Sequence, residues 1–145
     1  MLRGFPDLPP VWALGAALAA LALARWLPIA PLPPGMGRVI GGAGVALILW
    51  AAWWFWRKRT PIEPGHAPRA LIVEGPYRIN RNPIYTGLVL ILVGWGLSLG
   101  AVSAILPAAA FAFVVDRRFV RSEEAALRAA FGAEAERYFA ATRRW

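Results

Sequence analysis

From Asn82 to Val115 the chain runs 34 residues without a formal charge. No other feature narrows the fold as far. One helix crosses the hydrocarbon core of a bilayer with about 20 residues, so this run is too long for a single ordinary span. It also contains Gly94, Gly96, Gly100 and Pro107. It reads as two short helices that fold back on each other near Leu97–Ala101. Each arm has about 16 residues, about 24 Å at 1.5 Å per residue. That is short for a full crossing, so one arm is expected to tilt or to sit partly within protein.

Two further runs precede it. Val11–Ala24 is apolar and rich in Ala and Leu, extended by Arg25-Trp26-Leu27. Val39–Trp56 carries no charge over 18 residues. No clear small-x-small cleavage site follows the first run, which favours a retained helix over a signal peptide. Composition agrees with a membrane chain: 59% hydrophobic and 17% charged, against about 45–50% and about 25% in soluble domains. The expected fold is all-α and integral to a membrane. It has about four transmembrane helices, the last two a short hairpin, followed by cytoplasmic C-terminal amphipathic helices. A single domain over 1–145 is expected: two spans in 1–56, a cytoplasmic loop in 57–82, the hairpin in 83–115 and a tail in 116–145.

The net charge of +8 is explained by topology. Thirteen of the sixteen Lys and Arg residues lie in two segments, Arg57–Arg81 and Arg117–Arg144. An even number of spans separates these segments, so both face one side, and the positive-inside rule makes that side cytoplasmic. Both termini are then cytoplasmic. Trp50, Trp53, Trp54 and Trp56 precede Arg57-Lys58-Arg59 as an interfacial aromatic belt. The bilayer is the expected partner, and nucleic acid is not required. The chain lacks Cys, which removes disulfides, thiolate metal sites and Cys nucleophiles, and His66 is its one histidine. No metal site is expected. The glycines at 35, 37, 41, 42 and 44 open the second span rather than follow a strand, so they read as small residues for close helix packing, not as a dinucleotide turn.

In the tail, a wheel of 100° per residue begun at Arg117 puts Arg121, Glu124 and Arg128 within about 40° of it. This predicts a solvated stripe with Glu124 in water. Glu123 falls beside Phe119, Leu127 and Ala130, toward the apolar side. A carboxylate there calls for a partner or a task; an arginine that merely fastens the tail would serve equally well. In the loop, Asn82-Pro83 is a helix start, with Asn at the cap and Pro in the first turn. Such an N-terminus carries partial positive charge. Arg78 and Arg81 lie beside it, and Tyr77 and Tyr85 flank it.

These segments, Leu71-Ile-Val-Glu-Gly-Pro-Tyr-Arg78, Arg81-Asn-Pro-Ile-Tyr85, Glu123-Glu-Ala-Ala-Leu127, Phe131-Gly132 and Tyr138, resemble the isoprenylcysteine carboxyl methyltransferase and phospholipid methyltransferase superfamily in order and spacing. The resemblance covers roughly residues 60–145. It implies a membrane-embedded enzyme that uses S-adenosylmethionine and takes a lipophilic substrate from the bilayer. Carried over by position, Arg69, Ala70, Leu71 and Ile72 would contact the cofactor largely through the backbone. Tyr77, Asn82, Pro83, Ile84, Tyr85 and Glu123 would contact it as well. The substrate-side arginine of the family has Phe119 in its strict position, which leaves Arg118 or Arg121 for that role. Asn82 stands where the family often has His. Asn cannot take up a proton near neutral pH, which leans toward an acceptor already ionised, hence carboxyl O-methylation over N- or S-methylation. Two other classes compete: an NADPH-dependent membrane oxidoreductase similar to sterol reductases, and a non-enzymatic four-helix membrane protein. The Glu123-Glu124-x-x-Leu127 pattern disfavours the first. The lack of an acid within the spans disfavours a proton-coupled form of the second.

Overall fold

The computed structural model describes residues 7–30, 35–62 and 68–145. Arg3, His66 and the prolines at 31, 33 and 34 lie outside them. Six helices carry the fold: α1 (Pro9–Trp26), α2 (Gly35–Lys58), α3 (Pro83–Ser98), α4 (Leu106–Val115), α5 (Arg121–Phe131) and α6 (Ala133–Ala141). No strand forms among the described residues, and the one β-bridge joins Asn80 to Arg143. The architecture is all-helical, as the apolar runs require.

Two helices, α1 with 18 residues and α2 with 24, are long and apolar enough to cross a membrane. Each begins with residues suited to a helix start or close packing: Pro9 and Pro10 in the first turn of α1, glycines in that of α2. The charge-free run divides as its glycines suggest. α3 ends at Ser98, and the turn passes through Gly100 at φ +76°, where a side chain would be strained. A 3₁₀ turn (Val102–Ile105) then leads into α4. α3 has 16 residues and the regular α-helix of α4 only 10, both shorter than α1 and α2.

α2 and α3 form the most extensive helix pair. A Cβ on Gly44 would lie 2.6 Å from the Gly87 carbonyl oxygen, and one on Gly37 would lie 2.4 Å from that of Gly94. Backbones this close need glycine at the crossing. Of the glycines opening α2, Gly37 and Gly44 make this contact, while Gly35 and Gly42 face open space.

The tail departs from the expected separate helix. α4 runs through a π-helical segment, Asp116–Val120, directly into α5. The wider turn offsets α5 from the phase of α4, yet Arg117, Arg121 and Arg128 are exposed as the wheel predicts, and only Glu124 departs from it. Gly132, at φ +49°, breaks the rod, and α6 returns beneath the end of α2. Two cores result. One packs Tyr85 and Leu92 of α3 on Phe111, Val115, Phe119 and Val120. The other gathers Ala51, Ile72, Tyr77, Ala135, Tyr138 and Phe139 where α2, the loop and α6 meet.

Candidate functional site

Between these two cores lies a cleft of about 570 Å³. Its walls come from five places: the first turn of α1, the end of α2 with Thr60–Ile62, the segment Ala70–Ile72 with Tyr77, the N-terminus of α3, and α5 with α6. Ala70, Leu71, Ile72, Tyr77, Asn82, Pro83, Ile84, Tyr85 and Glu123 all line it. Nine residues singled out in the sequence therefore come together. Arg69 does not line the cleft. Its backbone N–H donates to Thr60 Oγ1 at 3.0 Å and so ties the loop to the end of α2.

Glu123 faces the cleft from α5. The Tyr85 hydroxyl donates to its Oε1 at 2.5 Å, which links α5 to the first turn of α3. Glu124 is a correction. Expected in water, it is 4% exposed. The Arg144 guanidinium grips it twice, Nε on Oε1 at 2.9 Å and Nη2 on Oε2 at 2.7 Å. Arg81 Nη1 stands 3.4 Å from Oε1 and Arg128 3.9 Å from Oε2. The cause is the chain beyond α6, which folds back over this face and covers Glu124. There the Arg81 N–H donates to the Arg143 carbonyl at 2.9 Å.

Asn82 occupies the cap position of α3 but makes no side-chain cap bond. It is buried, and its Nδ2 donates to the Arg144 carbonyl at 2.9 Å. Its backbone N–H donates to Asn80 Oδ1 at 2.5 Å. Asn82 thus binds the returning chain to the mouth of α3. Thr86 N–H already bonds to the Asn82 carbonyl, while the earlier N–H groups of a helix have no partner within it.

Arg81 borders the cleft, with its guanidinium 4.9 Å from the centre of the Phe139 ring. Its Nε is buried without a hydrogen-bond partner among the described residues. Tyr77 is buried, with its ring edge-on to Phe55 at 5.9 Å, and its carbonyl accepts the Tyr138 hydroxyl at 2.8 Å. Burial pushes the Tyr77 phenol well above its ordinary value, and Tyr138 and Glu123 add to the effect. Burial also raises Tyr138, against an opposing pull from Arg81. Both hydroxyls are neutral at pH 7.

Arg118 and Arg121 do not line the cleft. Arg118 pairs with Asp7 at 2.6 Å, and Arg121 with Asp116 at 3.3 Å. The sequence reading left out Glu124, Phe55, Thr60, Tyr138, Phe139 and the N-terminal turn of α1, all of which line the cleft. Of these, Tyr138 and Glu124 stood within the quoted motifs, but only folding shows that they meet the loop. Among the described residues no cluster of His, Cys, Asp or Glu could hold a metal ion.

Residues 35–134 match the family described as phospholipid methyltransferase. No curated protein and no solved structure matches the chain significantly. The matched stretch contains α2, the loop, the hairpin and α5, which together supply most of the cleft. The chain belongs to the phospholipid methyltransferase family, a family of membrane methyltransferases.

Proposed function

We propose that the protein transfers a methyl group from S-adenosylmethionine to a lipophilic acceptor at the cytoplasmic face of the membrane, and that the cleft is where the donor binds. The observation that carries this reading is the Tyr85–Glu123 hydrogen bond. It holds one carboxylate on the cleft wall beside the mouth of α3.

The cleft suits such a donor in size and in chemistry. Small-molecule sites occupy roughly 300–1,000 Å³, and this one has about 570 Å³. A zwitterionic amino-acid end needs an acceptor for its ammonium and donors for its carboxylate. Glu123 is the acceptor. The positive end of the α3 helix and the Arg81 guanidinium favour that carboxylate. Phe55, Leu71, Ile72, Tyr77 and Leu127 form an apolar wall for a planar base.

When bound, the donor supplies a methyl group on a positively charged sulfur. The chain's task is to align and to exclude water. The Tyr85 hydroxyl fixes the orientation of Glu123, whose charge favours a cation in the cleft. Tyr77 and Tyr138, kept neutral by burial, are unsuited to remove a proton. The Asn82 amide is engaged with the Arg144 carbonyl and has no basic lone pair. An acceptor that arrives ionised needs no proton removed, so carboxyl O-methylation fits this residue set better than N-methylation. The S–CH₃ electron pair stays on sulfur, a new bond forms to the acceptor oxygen, and no proton changes hands.

The test uses protein purified in detergent. S-adenosylhomocysteine should bind with no metal added, and membranes given methyl-labelled S-adenosylmethionine should yield a labelled lipid that is a base-labile ester. Absence of heat and of thermal shift on titration would refute the reading.

A further inference from the structure

The wall between α3 and α5 is bridged on its inner side by the Tyr85–Glu123 hydrogen bond, and both of these residues line the cleft. On its outer side it is bridged through Arg144, which does not line the cleft. The Arg144 carbonyl accepts Asn82 Nδ2 at 2.9 Å, at the head of α3. The Arg144 guanidinium grips both oxygens of Glu124 on α5, at 2.9 and 2.7 Å. One residue thus holds both helices, by its backbone on one side and its side chain on the other.

A guanidinium fork presents two parallel N–H groups to a carboxylate, so the grip fixes orientation as well as distance. The segment that presents Arg144 is itself anchored. Arg143 pairs with Asn80 in a parallel bridge, its carbonyl accepts the Arg81 N–H at 2.9 Å, and Thr142 is buried. Arg144 Nη1 also stands 3.6 Å from Asp116 Oδ1, which brings the π-helical segment to the same point. Arg81 and Arg128 reach Glu124 as well, but by single contacts at 3.4 and 3.9 Å. Arg128 belongs to α5 and cannot place that helix against α3. Glu123 directly precedes Glu124 on α5, so a rotation of α5 that frees Glu124 carries Glu123 away from Tyr85.

We propose that Arg144 is a positioning residue of the methyl-transfer site: it sets the rotation and spacing of α5 against α3, and so aims the Glu123 carboxylate into the cleft without touching what binds there. The effect on ligand binding rests on the reading of the cleft as the donor site; the effect on Tyr85 does not. Because Arg144 acts through the inner bond, its loss costs no more than the loss of that bond, and costs nothing further once the bond is gone.

The test exploits a chain with three tyrosines. Full-length protein in detergent is labelled with 3-fluorotyrosine, and Tyr85→Phe assigns the Tyr85 fluorine resonance. Arg144→Lys keeps the positive charge but loses the fork. Without any ligand, it should shift the Tyr85 resonance and leave the other two in place. Arg128→Lys, which also removes a contact to Glu124, should leave all three in place. Calorimetric titration should show S-adenosylhomocysteine affinity falling about threefold in Arg144→Lys, but staying within about 1.5-fold when Arg144→Lys is added to Tyr85→Phe. Should Arg144→Lys fail to fold, Glu124→Asp, which keeps the charge but draws the carboxylate back from the fork, should shift the same resonance. An unmoved Tyr85 resonance, equal shifts of all three tyrosines, or additive losses in the double variant would each overturn the proposal. If the parent protein binds no S-adenosylhomocysteine, the reading of the cleft falls, and the Tyr85 resonance alone decides for or against Arg144.

Discussion

Tyr85 and Glu123, 38 positions apart, meet through a 2.5 Å hydrogen bond that closes the wall between α3 and α5. Its neighbour Glu124 points a different way and is held by arginines. Both carboxylates line the cleft, but their partners differ: a tyrosine hydroxyl for Glu123 and arginines for Glu124.

Glu123→Gln should weaken S-adenosylhomocysteine binding by about tenfold or more, since a hydrogen bond to a charged group contributes about 1.5–3 kcal/mol. Tyr85→Phe should cost less, a few-fold, because it removes one hydrogen-bond partner of Glu123 without removing its charge. Both variants should melt within a few degrees of the parent protein. Calorimetric titration beside a thermal melt measures each quantity, and wild-type affinity in Glu123→Gln would remove Glu123 from the site.

Glu124→Gln should act first on stability. It leaves Arg144 and Arg81 without their carboxylate, and breaking a largely buried ion pair on one side costs several kcal/mol, about 3–5 in closed sites. Arg144 is partly exposed, so about 2 kcal/mol is expected. The melting temperature should fall clearly, and protein that remains folded should bind S-adenosylhomocysteine within a few-fold of the parent. The opposite pattern, a normal melt with binding lost, would reverse the two roles.

Much of this was legible before folding. The charge-free run and its glycines give a hairpin with its turn near Leu97–Ala101, where the structure ends α3 at Ser98, and the apolar runs give α1 and α2. The loop and the start of α3 point to eight residues of the cleft, and the tail motif to a ninth, Glu123. Glu124 was not legible, because its burial depends on something that helical periodicity does not contain: the return of Arg143 and Arg144 over the face of α5. Asn82 was half legible. Its position at the head of α3 follows from Pro83, but its side-chain partner lies 62 residues away.

Acid should loosen the loop through Glu74. Burial pushes its carboxyl up, but the hydrogen bond and charge of Lys58 and the Val73 N–H together outweigh this and hold it below its ordinary value of 4.5. A carboxylate depressed in the folded state adds stability above its unfolded value and loses it as pH falls through the folded one. The wild-type melting temperature should therefore decline on acidification below about pH 4.5 more steeply than that of Glu74→Gln. Parallel curves would show that the Lys58–Glu74 pair contributes nothing to the fold.

The α2–α3 crossing gives a paired test on one helix. A Cβ at Gly42 meets open space, whereas one at Gly44 would sit 2.6 Å from the Gly87 carbonyl oxygen. Alanine in a helix interior is favoured over glycine by about 1 kcal/mol, so Gly42→Ala should hold or raise the melting temperature. Gly44→Ala gains the same propensity but must push two backbones apart along the most extensive helix contact in the molecule. It should lower the melting temperature despite that gain. Because α3 begins at the cleft, the displacement should also weaken S-adenosylhomocysteine binding through Asn82–Tyr85. If both variants melt alike, the close approach of α2 and α3 does not hold in the folded protein.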